Sequence, residues 1–249
     1  MHVGHTSVVV FSAALALSEK LNRSGTDLLH ASLIGSEVCC YLGDWLGRSH
    51  YEAGFHQTAT AGTFGATAAA CNLLELNVTE ITHALGIAAT RAAGLTSQFG
   101  TMSKPYHAGM AASVGVEAAL LASRGFTANP EGIDCTLGFA QTHHAQINVN
   151  KTNTTSLDML GKSLVFADVQ HKLHACCHGI HASIEALEQL KTQHDLCADN
   201  ISAIRIETNP RWLAVCNKPA PQSGLETKFS YAHVSALVFS QYNLSLIHI

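Results

Sequence analysis

The sequence predicts a mainly α protein: a large all-helical domain followed by a smaller α+β domain. Three observations carry that prediction. Apolar residues recur at helical spacing through the first half of the 249-residue chain, where Ala, Gly and Ser are also frequent. A turn-rich stretch from Arg124 to Ser156 interrupts the pattern. Beyond it, one short segment changes to the period of a strand. With 47% apolar residues the chain can bury one large core, or a core and a smaller partner.

In chain order, helices are expected over 7–22, 27–46, 58–75, 79–92 and 108–123. Gly25, Gly47 and Gly94 read as stops after the first, second and fourth of them. Thr26 and Thr79 read as N-caps. The small residues let these helices approach closely, as in a bundle. Asn129-Pro130-Glu131-Gly132 and the polar tract 148–155 read as loops and place a boundary, giving domains 1–169 and 170–249. The second domain is expected to hold a helix near 175–191, a strand over Ile201–Thr208 and a helix near 225–240. Met1 stands directly before His2-Val3-Gly4-His5 and an apolar helix, which reads as a truncated start, and the tail 242–249 reads as non-native.

Charge and cysteine content exclude several classes. The 14 Lys+Arg against 18 Asp+Glu give a net charge of -4 with no basic run, so a nucleic-acid partner is not expected. The apolar run Val8–Leu17 has no preceding Lys or Arg and is too short to span a bilayer; it reads as a core helix, with no membrane partner. Eight cysteines in a chain of this size do not read as a disulfide framework. Cys39-Cys40 and Cys176-Cys177 lie in apolar stretches and read as small buried side chains, which fits a reducing, cytoplasmic compartment.

The chemistry-bearing residues stand at helix entrances. Ser103-Lys104-Pro105-Tyr106-His107-Ala108-Gly109 reads as a loop that puts a cation before a helix start, where backbone N–H groups also point outward and favour a carboxylate. Pro105 is expected to keep Lys104 out of the α region and aim its ammonium. His56, in Gly54-Phe55-His56-Gln57-Thr58-Ala59, precedes another helix, with Thr58 as a capping candidate, and His5 heads the first helix. Each alone has a plain structural reading; three such entrances point to one shared pocket. His171, His174, His178 and His181 step by three, four and three, placing four imidazoles on one helical face. The intervening Ala175, Cys176 and Cys177 offer no carboxylate base of the zinc-protease kind, so no metal is assigned and a metal-binding helical protein stands as the alternative. His143 and His144, as neighbours, face different directions. Phosphate-loop, dinucleotide and nucleophile-elbow motifs are absent.

Read together, Gly54-Phe55-His56-Gln57-Thr58-Ala59 with Gly65-Ala66, the Ser103–Gly109 segment with Gly125-Phe126-Thr127, Lys172 to His181, Asn217-Lys218-Pro219 and Gly224 to Ser230 resemble the MmgE/PrpD family, over roughly residues 2–240. That family contains 2-methylcitrate dehydratase and cis-aconitate decarboxylase. The resemblance implies a helical domain with an α+β lid closing over a polar cleft, a homodimer when full-length, and small di- or tricarboxylate substrates handled without metal or organic cofactor. It implies catalytic roles for His5, His56, Lys104 and Lys172, and substrate binding by Lys104, His107 and Lys172. The two lysines would clamp carboxylates as the lid closes. A histidine would move the proton at carbon, because its unperturbed pKa of roughly 6.5 suits transfer near neutrality. His5 is the provisional proton-transfer residue and His56 its positioning neighbour, with the reverse open. Dehydration of a 2-methylcitrate-like hydroxy acid is the leading expectation, with decarboxylation or epimerisation as alternatives. Departures from the family pattern are Val215 at a position often aromatic, an Asp-Asp-Thr segment that would precede His5, and C-terminal helices of the large domain that lie beyond this chain.

Overall fold

The computed structural model describes residues 4–143 and 161–240. The expected start at Met1, His144, the tract 148–155 and the tail 242–249 lie outside the described residues. Two compact units form: residues 4–97 with 103–143 and 161–169, and residues 98–102 with 170–240.

The first unit is built from helices α1 (Thr6–Leu21), α2 (Gly25–Glu52), α3 (Gln57–Leu73), α4 (Val78–Ala89), α5 (Ser103–Ala122) and the short α6 (Phe139–His143). α3 is its axis: 15 of its 17 residues are buried, and α1, α2 and α5 pack around it. A helix enclosed on every side needs small side chains and internally satisfied polar groups. α3 has both. Thr63 and Thr67 donate their hydroxyls to the carbonyls of Ala59 and Thr63, each at 2.8 Å. Gly35 of α2 meets Gly65 of α3 backbone to backbone: a Cβ on Gly35 would fall 2.5 Å from the Gly65 carbonyl oxygen, and one on Gly65 would fall 2.6 Å from that of Gly35. Around this crossing Val10, Leu17, Leu46, Phe64 and Phe139 fill the core.

The helix boundaries differ from the sequence reading in instructive ways. Ser24 and Asn77, rather than Thr26 and Thr79, cap α2 and α4. Their backbones are extended, and each forms a reciprocal capping box, Ser24 with Asp27 and Asn77 with Glu80. Gly25 therefore opens α2, and α1 stops at Asn22 in the left-handed conformation. Gly47 does interrupt α2, with φ 69° and ψ -174°, after which helical turns resume to Glu52. The Ser103–Gly109 segment is not a loop but the opening of α5, so Lys104 is helical in spite of Pro105. Proline in a first helical turn removes no intrahelical hydrogen bond, and this outweighs its steric bias on the preceding residue.

The second unit contains α7 (His178–His194), α8 (Pro210–Cys216), α9 (Gly224–Thr227) and α10 (Tyr231–Val238). Ile180, Ile184 and Leu187 of α7 pack with Cys216, Tyr231, Val234 and Val238. The Tyr231 hydroxyl donates to the Gly179 carbonyl at 2.8 Å. The strand expected over Ile201–Thr208 does not form, and the α+β reading is corrected to α: among the described residues there are only isolated bridges, Phe55 with Leu95 and Asn217 with Ser230. The alternation was real, since Ile206 packs against the unit's core while Arg205 and Glu207 stay exposed. A strand also needs a hydrogen-bonding neighbour, and among the described residues none lies alongside. The four-histidine face is corrected too: extended backbone at Cys177, whose N–H donates to the Lys228 carbonyl at 2.9 Å, delays α7 to His178, leaving His171 and His174 outside the helix.

Candidate active site

In the first unit the entrances of α1, α3 and α5 meet. Non-helical backbone at His5 (φ -105°, ψ 88°) and extended backbone at His56 (φ -87°, ψ 96°) make each residue the N-cap of its helix, α1 and α3 respectively. His5 is fastened to α3 through Thr58, whose buried Oγ1 accepts the His5 backbone N–H at 3.0 Å and bonds His5 Nδ1 at 3.0 Å. Thr58 is thus a holder of His5 rather than the cap of its own helix. His56 Nδ1 lies 3.2 Å from Nδ1 of His107 in α5, with the ring planes at 54°.

The loop entering α3 is pinned from the opposite side. The His56 N–H donates to the Gly94 carbonyl at 2.9 Å and the Thr96 N–H to the Gly54 carbonyl at 2.8 Å. Gly94 has φ +151°, and a Cβ there would fall 2.8 Å from Cβ of Ala59 and 3.4 Å from His107 Nδ1. A side chain at position 94 would therefore press on the histidine pair.

Electrostatics follow from this packing. Burial holds His56 at a pKa of about 3, with the Lys104 ammonium and His107 adding to the effect. Burial and Lys104 also lower His107. Both imidazoles are therefore neutral near pH 7, and their Nδ1 contact needs one ring to donate and the other to accept. Lys104 supplies the fixed positive charge. The cluster combines a cation with proton-transfer groups, the equipment for binding a carboxylate and moving a proton near it.

His50, which sequence reading passed over, is structural. Fully buried, it bonds the His143 carbonyl and Thr60 Oγ1, each at 2.9 Å, and stacks on Phe55 at 4.5 Å. A cavity of about 600 Å³ lined by Ile87, Arg91, Phe126, Leu137 and His143 contains none of the candidate residues.

Lys172 belongs to the second unit, where its Nζ donates to the Cys176 carbonyl at 3.3 Å. Lys228 was missed as a candidate: burial lowers its pKa, and Lys172 lowers it further, so two like charges share this unit. Its position inside the Gly224–Ser230 motif was the available signal.

Comparison with known proteins bears on this arrangement. Residues 1–151 match the MmgE/PrpD N-terminal domain and residues 174–248 the MmgE/PrpD C-terminal domain. The chain belongs to the MmgE/PrpD family of enzymes. It is 30% identical to cis-aconitate decarboxylase of Mus musculus, over 93% of this chain and 49% of that protein. Identity is 28% to the cis-aconitate decarboxylase-like protein oryM of Aspergillus oryzae, over 95% and 54%, and 37% to cis-aconitate decarboxylase of Homo sapiens, over 54% and 29%. The chain spans about half the length of the curated relatives it matches.

Proposed function

We propose that this chain carries the histidine–lysine part of the active site of a cofactor-independent carbon–carbon lyase, and that its substrate is an unsaturated tricarboxylate such as cis-aconitate. The His56–His107 contact beside Lys104 carries the reading. The decarboxylase relatives favour loss of carbon dioxide over the loss of water that the motifs alone suggested.

The chemistry suits the residues. When a carboxylate sits on the carbon next to a C=C bond, breaking its C–C bond releases carbon dioxide and shifts the double bond by one position. The electron pair then rests on a carbon adjacent to a second carboxylate, and a proton must be delivered there. Lys104 holds a carboxylate and stabilises that developing charge. Lys172 and Lys228 are the second unit's anion-binding cations. His5 delivers the proton: with the Thr58 hydroxyl donating to Nδ1, the Nε2–H is its giving end. His107 and His56 orient the substrate.

Neutral imidazoles help binding and chemistry separately. A bound polyanion offsets the influence of Lys104 on His107 and raises its proton affinity, whereas His56, held low chiefly by burial, stays neutral. Substrate binding is therefore accompanied by proton uptake, measurable as different apparent binding enthalpies in buffers of different ionisation heat.

Replacement tests the assignment. Lys104→Ala lowers kcat/KM by roughly a hundredfold or more, the typical cost of removing one transition-state charge partner. His5→Gln lowers kcat with a smaller effect on KM. Lys228→Met raises KM. Full activity in Lys104→Ala removes this lysine from the mechanism.

A further inference from the structure

A second polar cluster, unrelated to the proton-transfer residues, lies in the second unit where the 170–177 segment meets α7. His174 stands outside the helix and bonds Glu185 across it, Nε2 to Oε1 at 2.7 Å. Donor atoms of His174, Glu185 and Glu188 all lie within 4.8 Å of one another. Glu185 and Glu188 are three residues apart, so they share one face of α7.

An independent observation comes from His181, one turn before Glu185. Its ring stands edge-on to His174 at 5.1 Å, and it shares a hydrogen bond with the Cys176 backbone. Its Nε2 is buried and has no hydrogen-bond partner among the described residues. A ring whose Nδ1–H is held by a backbone carbonyl has a fixed tautomer and turns the Nε2 lone pair outward, as histidines that bind metals do. His178, at 5.1 Å from His181, completes a patch of three imidazoles. The nearby cation, Lys172, is engaged by the Cys176 carbonyl.

We propose that His174, Glu185 and Glu188 form a binding site for a divalent transition-metal ion of the zinc type, with His181 Nε2 as the fourth donor. Two carboxylates balance the ion's charge, and imidazole selects a borderline ion over magnesium, which prefers oxygen donors alone. The ion would take the place of the hydrogen now shared by His174 and Glu185, with rotamer changes drawing the four donors to coordination distance. A bound ion would clip the segment carrying Lys172 to α7. The site is independent of the reaction proposed above, and its test does not depend on activity.

Zinc sulfate titrated calorimetrically into the intact protein, and cobalt substitution read by absorption, provide that test. One Zn²⁺ per chain should bind at micromolar concentration in a magnesium-containing buffer, and the cobalt form should show ligand-field bands without a thiolate charge-transfer band. Glu185→Gln combined with Glu188→Gln, both on the exposed face of α7 and checked for native circular dichroism, should weaken that equivalent at least tenfold. His174→Ala should do the same, whereas His171→Ala should not. Unchanged zinc uptake in the double glutamine variant, or a thiolate band in the cobalt form, overturns the assignment.

Discussion

His56 shows how much chemistry one buried position can fix. It is 2% exposed, and its pKa is held at about 3 against an ordinary value of 6.5. Between those two pH values the unfolded chain binds a proton that the folded chain does not, so stability rises with pH across that window. The contribution is complete above about pH 6.5 and is lost as acid approaches pH 3. His56→Gln should therefore flatten the acid limb of a urea-denaturation series; an unchanged limb would mean that the ring is wetter than its packing indicates. Lys104 acts on the same pair, so Lys104→Met should raise the His107 pKa, read from its imidazole carbon shifts. His5, His56, His107 and Lys104 were legible as residues because each stands in a short motif at a helix entrance. Thr58 and Lys228 were not. Thr58 looks like a cap in sequence because its partner lies 53 residues away, and Lys228 shows its neighbour Lys172 only after folding.

At the scale of elements, α3 is held in place by the absence of side chains. Gly65→Ala puts a methyl group against the Gly35 carbonyl oxygen and Cβ of Cys39, at 2.6 and 2.7 Å before relaxation. A cost of about 1–3 kcal/mol follows, toward the upper end because one obstacle is backbone. Thermal denaturation checks it, and a melting temperature equal to wild type would contradict the tight crossing. The residues just before α5 belong to the second unit, where Phe99 stacks on Phe229 at 5.9 Å. Phe99→Ala should loosen the entry to α5 and lower kcat, while Phe99→Leu, which restores apolar bulk, recovers part of it. The first five helices were readable because their periodicity is local; their ends were less so, since capping turns on which backbone is extended. The 201–208 segment failed for the opposite reason: alternation is local, but a strand's partner is not.

The chain forms two compact units, one bearing the histidine pair and Lys104, the other Lys172 and Lys228. Among the described residues no helix is long and apolar enough to cross a membrane, and the eight cysteines are all free thiols. Composition pointed away from a nucleic-acid partner, but could not choose among reactions that call on the same cations. The family's order of motifs narrowed the proposed substrate to small polycarboxylates, and the decarboxylase relatives moved the proposed bond cleavage from C–O to C–C.

The most direct test of that proposal is to incubate the purified protein with cis-aconitate in deuterated buffer and weigh both products by mass spectrometry. One carbon dioxide per substrate consumed is expected, together with an unsaturated dicarboxylate carrying one solvent deuterium at the carbon that received the electron pair, with both signals lost in Lys104→Ala. Hydration of the double bond, or turnover of a hydroxy-tricarboxylate with loss of water and no carbon dioxide, would contradict it.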